Sequence, residues 1–416
     1  MSTDKRFSTS ERALVAIGVI VPSLVLAGVA INARLNEIPP LVLPQRVMPV
    51  PNAHDTLRVA KTQEIGKQGE AETAPREGKY VQPLEDRKAL LAANARAIAT
   101  VRAALEQEYQ QPLTYDMTQT FPEYAEDREL ARMLAFASHT YADLGNYPEA
   151  ARCATDAIAL GVKIPRGSSL IGMLVGIACE GIGRKALADV APKLDAATLK
   201  ATLERLDRLD TRRWPLAETF EVEHLWSQKT IRDLAKMGPG ELAKSLGMDP
   251  TNENRWLSWR LMLTPKRLAA DNNDRYYAKL IAIVKQPYRK AVGTAREPHG
   301  SDPNSDPINE ILKPAFWQTQ FVVARNRTEA NLLRARLTFQ LTGKPDPRLT
   351  DPLGQDQPLK WKKDGGKTVF YSVGPDGDDD GGRAGVPTEP GRSSVARGRV
   401  LNIDDEGDLV DGVNTF

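Results

Sequence analysis

Residues 130–162 read LARMLAFASHTYADLGNYPEAARCATDAIALGV. Apolar and small residues recur at helical spacing on both sides of Gly145-Asn146-Tyr147. The glycine permits a tight turn, so the stretch reads as an antiparallel helix pair over 127–144 and 148–160. Ala150 and Ala157 are small enough to let the two helices approach closely. One pair cannot bury its own apolar face, so flanking sequence must supply more helix.

It does so in both directions. Upstream, 86–110 places Leu90, Leu91, Ile98 and Val101 on one helical face. Downstream, 170–182 and 185–191 predict a second pair broken at Gly183. Segments 195–209, 215–237, 240–246 and 265–285 continue the pattern, the last with Thr264 as cap and Pro265 at the first helical position. A loop is expected at 289–307, then a long helix at 308–341. Leu134, Tyr141, Gly145, Tyr147, Ala150 and Ala157 resemble tetratricopeptide spacing, but the next pair does not restore it. The expected domain over 85–288 is therefore a helical bundle or irregular α-solenoid, with the tetratricopeptide-like pair at 130–162.

Ahead of it, 13–31 (ALVAIGVIVPSLVLAGVAI) is uncharged and long enough for a bilayer core of about 30 Å. Lys5, Arg6 and Arg12 precede it, which predicts a cytoplasmic tail at 1–12 and export of the rest to the periplasm. The rival reading is a cleaved signal peptide; the run exceeds the usual apolar region of about 7–15 residues. Pro39, Pro40, Pro44, Pro49 and Pro51 follow, so 32–84 reads as a stiff spacer and stalk, with a short helix near 55–65 and a mobile stretch at 67–80.

The 416 residues carry 56 Lys plus Arg against 54 Asp plus Glu, so no bulk charge points to nucleic acid or anionic lipid. Metalloprotease, serine-hydrolase and nucleotide-binding signatures are absent. Glu221-Val-Glu-His224 puts one Glu and one His on a helix face, where a di-iron bundle needs two such motifs. It reads as a solvated face. His139 reads as a satisfied, partly buried histidine, and Arg212-Arg213 as a surface pair. Trp226, Trp256, Trp259 and Trp317 read as core. No small-molecule substrate is identified. Cys153 and Cys179 can either pair or sit as two small buried hydrophobes.

The pattern changes after Gly343. Strands are expected at 359–362 and 367–373 around the turn Lys363-Asp-Gly-Gly366. Then comes FYSVGPDGDDDGG at 370–382. Asp376, Asp378 and Asp380 alternate and Gly381 follows, the layout of a hard-cation loop. The twelfth place holds Pro387, not the Glu of an EF-hand. The remainder, 383–416, has the composition of a largely disordered tail.

From Leu332 onward the ending resembles that of type II secretion major pseudopilins, and of uncharacterised bacterial single-span proteins that share it. The matching features are a long helix, Asp351-Pro-Leu-Gly354, the hairpin, Tyr371-Ser-Val-Gly-Pro-Asp-Gly377, Asp378 to Gly382, and Asp408-Leu-Val410. The resemblance implies a structural Ca2+ site that draws on Asp376, Asp378, Asp379, Asp380 and Asp408. The pseudopilin processing site is missing, and helices separate the apolar run from the hairpin.

The fold expected is thus mainly α: an N-terminal transmembrane helix, the helical domain, and at 308–382 a long helix with a small C-terminal β-hairpin module. The function expected is a membrane-anchored extracytoplasmic scaffold with protein partners in the cell envelope, beside a secretion or pilus-like system. Two alternatives stand beside it: an exported enzyme with its site in the helical domain, and an assembled pseudopilin-like subunit.

Overall fold

Helices dominate, as the periodicity requires. The computed structural model describes residues 34–66, 82–237, 264–295, 306–386 and 401–415. Its helices are α1 (Ala53–Gln63), α2 (Leu84–Ala93), α3 (Ala95–Glu106), α4 (Glu123–Asp143), α5 (Tyr147–Lys163), α6 (Leu170–Val190), α7 (Ala196–Asp210), α8 (Leu216–Leu234), α9 (Lys266–Val284), α10 (Tyr288–Ala295), α11 (Pro307–Leu312) and α12 (Phe316–Thr342). Five short strands follow: β1 (Thr350–Asp351), β2 (Gln357–Pro358), β3 (Lys360–Asp364), β4 (Lys367–Ser372) and β5 (Leu409–Val410). All described strand pairs are antiparallel: β1 with β2, and β3-β4-β5.

The opening stretch folds as read. Gly145 turns the chain at φ 78°, and the Asn146 side chain caps α5 by accepting the Glu149 N–H at 3.3 Å. Gly183 does not break a helix; α6 runs unbroken through it. The glycine serves a close crossing instead. A Cβ on Gly183 would lie 2.7 Å from the Ala154 carbonyl oxygen, and one on Gly161 would lie 2.4 Å from that of Gly176. Helices α5 and α6 thus pack backbone against backbone.

Other breaks fall where side chains put them. The expected helix over 86–110 divides at Asn94, whose side chain bonds both the N–H and the carbonyl of Ile65. The expected helix over 308–341 divides before Pro314, which has no N–H to donate. The expected loop at 289–307 opens with α10; residues 296–305 lie outside the described residues.

Two compact units emerge. One comprises Met1–Pro44, His224–Tyr276 and His299–Lys313; the other Gln45–Glu223, Tyr277–Pro298 and Pro314–Phe416. The smaller is held by polar contacts between the helices: Gln228 donates to the Ala270 carbonyl at 2.9 Å, and Asn273 to Ser227 and Asn309 at 2.8 Å.

The larger unit has three apolar clusters. Leu57, Val101, Leu134 and Leu160 join α1, α3, α4 and α5. Ile158, Leu187, Leu199 and Leu337 join α5, α6, α7 and α12. Phe321, Leu332, Phe370, Leu401 and Leu409 fasten the hairpin module to α12. A buried ionic network crosses between the second and third. Arg184 donates to Asn326 at 2.6 Å and to Glu329 at 2.7 Å, and Arg213 reaches Glu180 at 2.7 Å. Arg213 is therefore a largely buried tie, not half of a surface pair.

The expected fold class needs correction at its first element. Among the described residues no helix is long and apolar enough to cross a membrane. The most apolar of the long helices, α6, carries Glu180, Arg184, Lys185 and Asp189, and its apolar faces are spent on α4 and α5. The expected transmembrane helix at 13–31 and tail at 1–12 lie outside the described residues, as do 67–80, 240–246, Trp256 and Trp259.

Two further segments are more structured than expected. The stalk is core: Leu57 and Ala60 of α1 are fully buried, and Arg46 donates to Tyr115 Oη at 2.9 Å. The tail returns to the fold, with Leu401 fully buried and β5 paired to β4. Cys153 and Cys179 are separate, buried free thiols.

Candidate functional site: an acidic loop and a cationic groove

The hairpin module starts where α12 ends at Gly343, whose positive φ of 70° closes the helix with an N–H to the Phe339 carbonyl. Asp351 is the knot. Its buried carboxylate accepts Ser372 Oγ at 2.8 Å, the Leu353 N–H at 3.0 Å and the Val373 N–H at 3.1 Å. Burial pushes its pKa up, while these donors pull it down. One carboxylate thus ties the Asp-Pro-Leu-Gly turn to the end of β4.

The acidic loop leaves β4 at Gly374. Arg289, from α10, donates to the carbonyls of Leu353, Gly374, Pro375 and Asp376 at 2.9–3.1 Å. Gly377 at φ 84° sits against that guanidinium, where a Cβ would fall 2.4 Å from Cζ. Asp376 accepts the Gly407 N–H at 2.7 Å and so binds the loop to the returning tail. Asp378 is exposed. Asp379 pairs with Lys360 at 2.9 Å, which holds its carboxyl below the ordinary range. Asp380 pairs with Arg383.

Asp408 is fully buried under the loop and accepts the Gly382 N–H at 2.6 Å. Burial pushes its pKa up to about 6, and the charges of Asp379 and Asp380 add to that. Lys362 donates to the carbonyls of Gly381 and Gly382 at 3.0 and 2.9 Å. The loop is therefore a set of hard oxygens already met by cationic side chains. The four loop aspartates and Asp408 lie on one module, but Asp376, Asp379, Asp380 and Asp408 each meet a different partner and Asp378 is exposed. Among the described residues no three acidic, His or Cys side chains converge as a metal cluster. The donor chemistry suits calcium; a shared focus is not present.

The helical domain holds a second feature. Helix α5 forms the floor between α3 and α7, and Arg152, Thr155, Asp156, Ala159 and Lys163 make one stripe along it at helical spacing. Two hollows of about 530 and 560 Å³ meet at Leu105 and Glu106 to form a groove along this stripe. Asp156, buried in its floor, pairs with both Arg102 at 2.8 Å and Arg205 at 2.5 Å. Sequence reasoning missed this site, as it missed Arg289; it named Asp351 only as the start of the Asp-Pro-Leu-Gly turn. The signal was Arg152, Asp156 and Lys163 recurring on one side of an otherwise apolar helix.

Each described histidine meets an aspartate: Asp55 for His54, Asp189 for His139 and Asp274 for His224. For His139 the outcome is the satisfied, partly buried residue expected. His299 lies outside the described residues. No family model, no curated protein and no solved structure matches this chain.

Proposed function

We propose that this chain is a non-enzymatic interaction scaffold, in which the helical domain receives a partner and the hairpin module braces it. The groove along α5 carries the reading. It is an open concave surface on a packed helical frame, lined by charged side chains over a buried apolar floor. The resemblance of the ending to pseudopilins supports a place beside a secretion or pilus-like machine. A photo-cross-linking residue at Ala201, exposed on the groove wall, tests the reading in the producing cell. The expected result is one discrete cross-linked polypeptide that is absent when the probe is placed at exposed Lys363, on β3 of the hairpin. Equal cross-linking from both positions would sink it.

A structural calcium ion at the acidic loop is a second reading, favoured by Asp408, a buried carboxylate beside the charges of Asp379 and Asp380. Asp376, Asp378, Asp379, Asp380 and Asp408 would hold the ion. Calcium would neutralise carboxylates that otherwise repel, so its binding free energy would add to the stability of the module. Calorimetry on the full chain, with Asp378→Asn/Asp380→Asn as control, checks this. About one ion bound at sub-millimolar calcium, with a raised Tm, is the expected outcome. An unchanged Tm at several millimolar removes calcium from the account.

A further inference from the structure

The groove along α5 is strongly cationic in a chain of nearly balanced charge. Its lining carries eight cationic side chains against three acidic ones, while the whole chain has a formal net charge of only +2. Some of that charge is spent. Arg102 and Arg205 are neutralised by Asp156, and Arg102 also by Glu149. Arg213 belongs to the Glu180 network, Arg166 lies 3.3 Å from Glu108, and Arg152 lies 3.8 Å from Glu149.

The remainder is not spent. Arg208 and Arg212 line the groove, and neither pairs with an acidic group among the described residues. Both side chains are exposed. Lys163 donates only to the Gln107 carbonyl. Burial lowers its pKa; the carboxylates of Glu108 and Glu106 oppose that shift, and the guanidiniums of Arg212 and Arg166 add to it. Among the described residues Arg208 and Arg212 thus remain the unpaired cations of the groove, with the half-buried Lys163 ammonium beside them.

We propose that this groove docks an acidic peptide segment of a partner protein, with carboxylates at Arg208, Arg212 and Lys163 and small apolar side chains between them. The inference rests on the scaffold reading and adds the chemistry of the partner. Two features favour a peptide. The hollows join end to end, which suits an extended chain more than one small anion. Leu105, Ala159 and Val162 are buried beneath the cations and Leu209 is partly buried, so the charge stands over an apolar floor. Nucleic acid fits less well. Glu106, Glu108 and Asp156 interrupt the positive field, and a phosphate backbone places a charge at every unit.

Fluorescence anisotropy on the full chain tests the proposal. The probes are three labelled decamers: alternating Glu-Ala, alternating Gln-Ala and oligothymidylate. The Glu-Ala peptide is expected to bind with a Kd of about 0.1 mM or tighter, and to weaken as salt rises. Arg208→Glu/Arg212→Glu is expected to weaken it at least about tenfold. Ala201→Trp, which fills the groove without changing charge, should do the same with Tm unaltered.

Equal affinity for the Glu and Gln peptides overturns the proposal, as does Glu-Ala binding that both variants leave intact. Tighter binding of oligothymidylate overturns it in favour of nucleic acid. If the acidic peptide fails while cross-linking from Ala201 still captures one polypeptide, the scaffold reading stands and only the partner's chemistry is wrong.

Discussion

Asp351 and Asp408 are both buried carboxylates of the hairpin module, yet they do different work. Asp351 accepts from a hydroxyl and two main-chain N–H groups, so removal leaves several buried donors unpaired. Asp351→Ala is expected to cost about 2–3 kcal/mol in urea unfolding, and a loss under 1 kcal/mol would deny it the role of knot. Asp408 instead belongs with Asp127 and Asp411, whose pKa values burial pushes up to about 6. A folded-state pKa above the unfolded one favours the protonated form. Its stabilisation is complete below the ordinary carboxylate pKa of about 4 and is lost as pH rises through about 6. The Tm is therefore expected to fall from pH 5 to pH 7, less steeply in Asp408→Asn. A Tm that climbs over that interval would contradict the assignment.

At the level of elements, periodicity reports helices well and their junctions poorly. The turn at Gly145 and the non-break at Gly183 use the same residue type for opposite reasons. At Gly145 the need is a positive φ; at Gly183 it is the absence of a Cβ between α5 and α6. Which need applies depends on a neighbour that spacing alone does not name. Gly183→Ala must push a methyl against the Ala154 carbonyl and Ile158. The expected loss is about 1–3 kcal/mol in urea unfolding, with helix content by circular dichroism unchanged. A stabilised variant would mean the helix crossing is looser than described. The division at Asn94 has a similar origin, because the amide is taken by Ile65 across the fold.

Across the larger unit, the ties between parts are buried charges. Glu180, Arg184, Arg213, Asn326 and Glu329 join α6 to α12, and Arg184 is 2% exposed. Glu180→Ala takes one carboxylate from each of two guanidiniums and leaves Arg184 with Glu329 and Arg213 with Asp210. We expect a loss of about 1–3 kcal/mol, read as a lower urea midpoint. A midpoint within experimental error of the parent would show that water reaches these groups. The same unit-wide view explains why α1 and the tail are structured. Leu57 and Leu401 are fully buried because separate clusters each lack one apolar side without them.

Legible in the residues alone were the helical character, the pair about Gly145, the hairpin about Gly365-Gly366 and the concentration of carboxylate that follows it. These depend on period, turn chemistry and composition, all of which are local. Only packing in space made Asp351 a knot, tied Arg213 to Glu180, put Asp408 beneath its loop and set α3, α5 and α7 around a cationic groove. Each of these joins residues far apart in the chain. Burial and electrostatic field depend on distance in space, and distance along the chain does not report it.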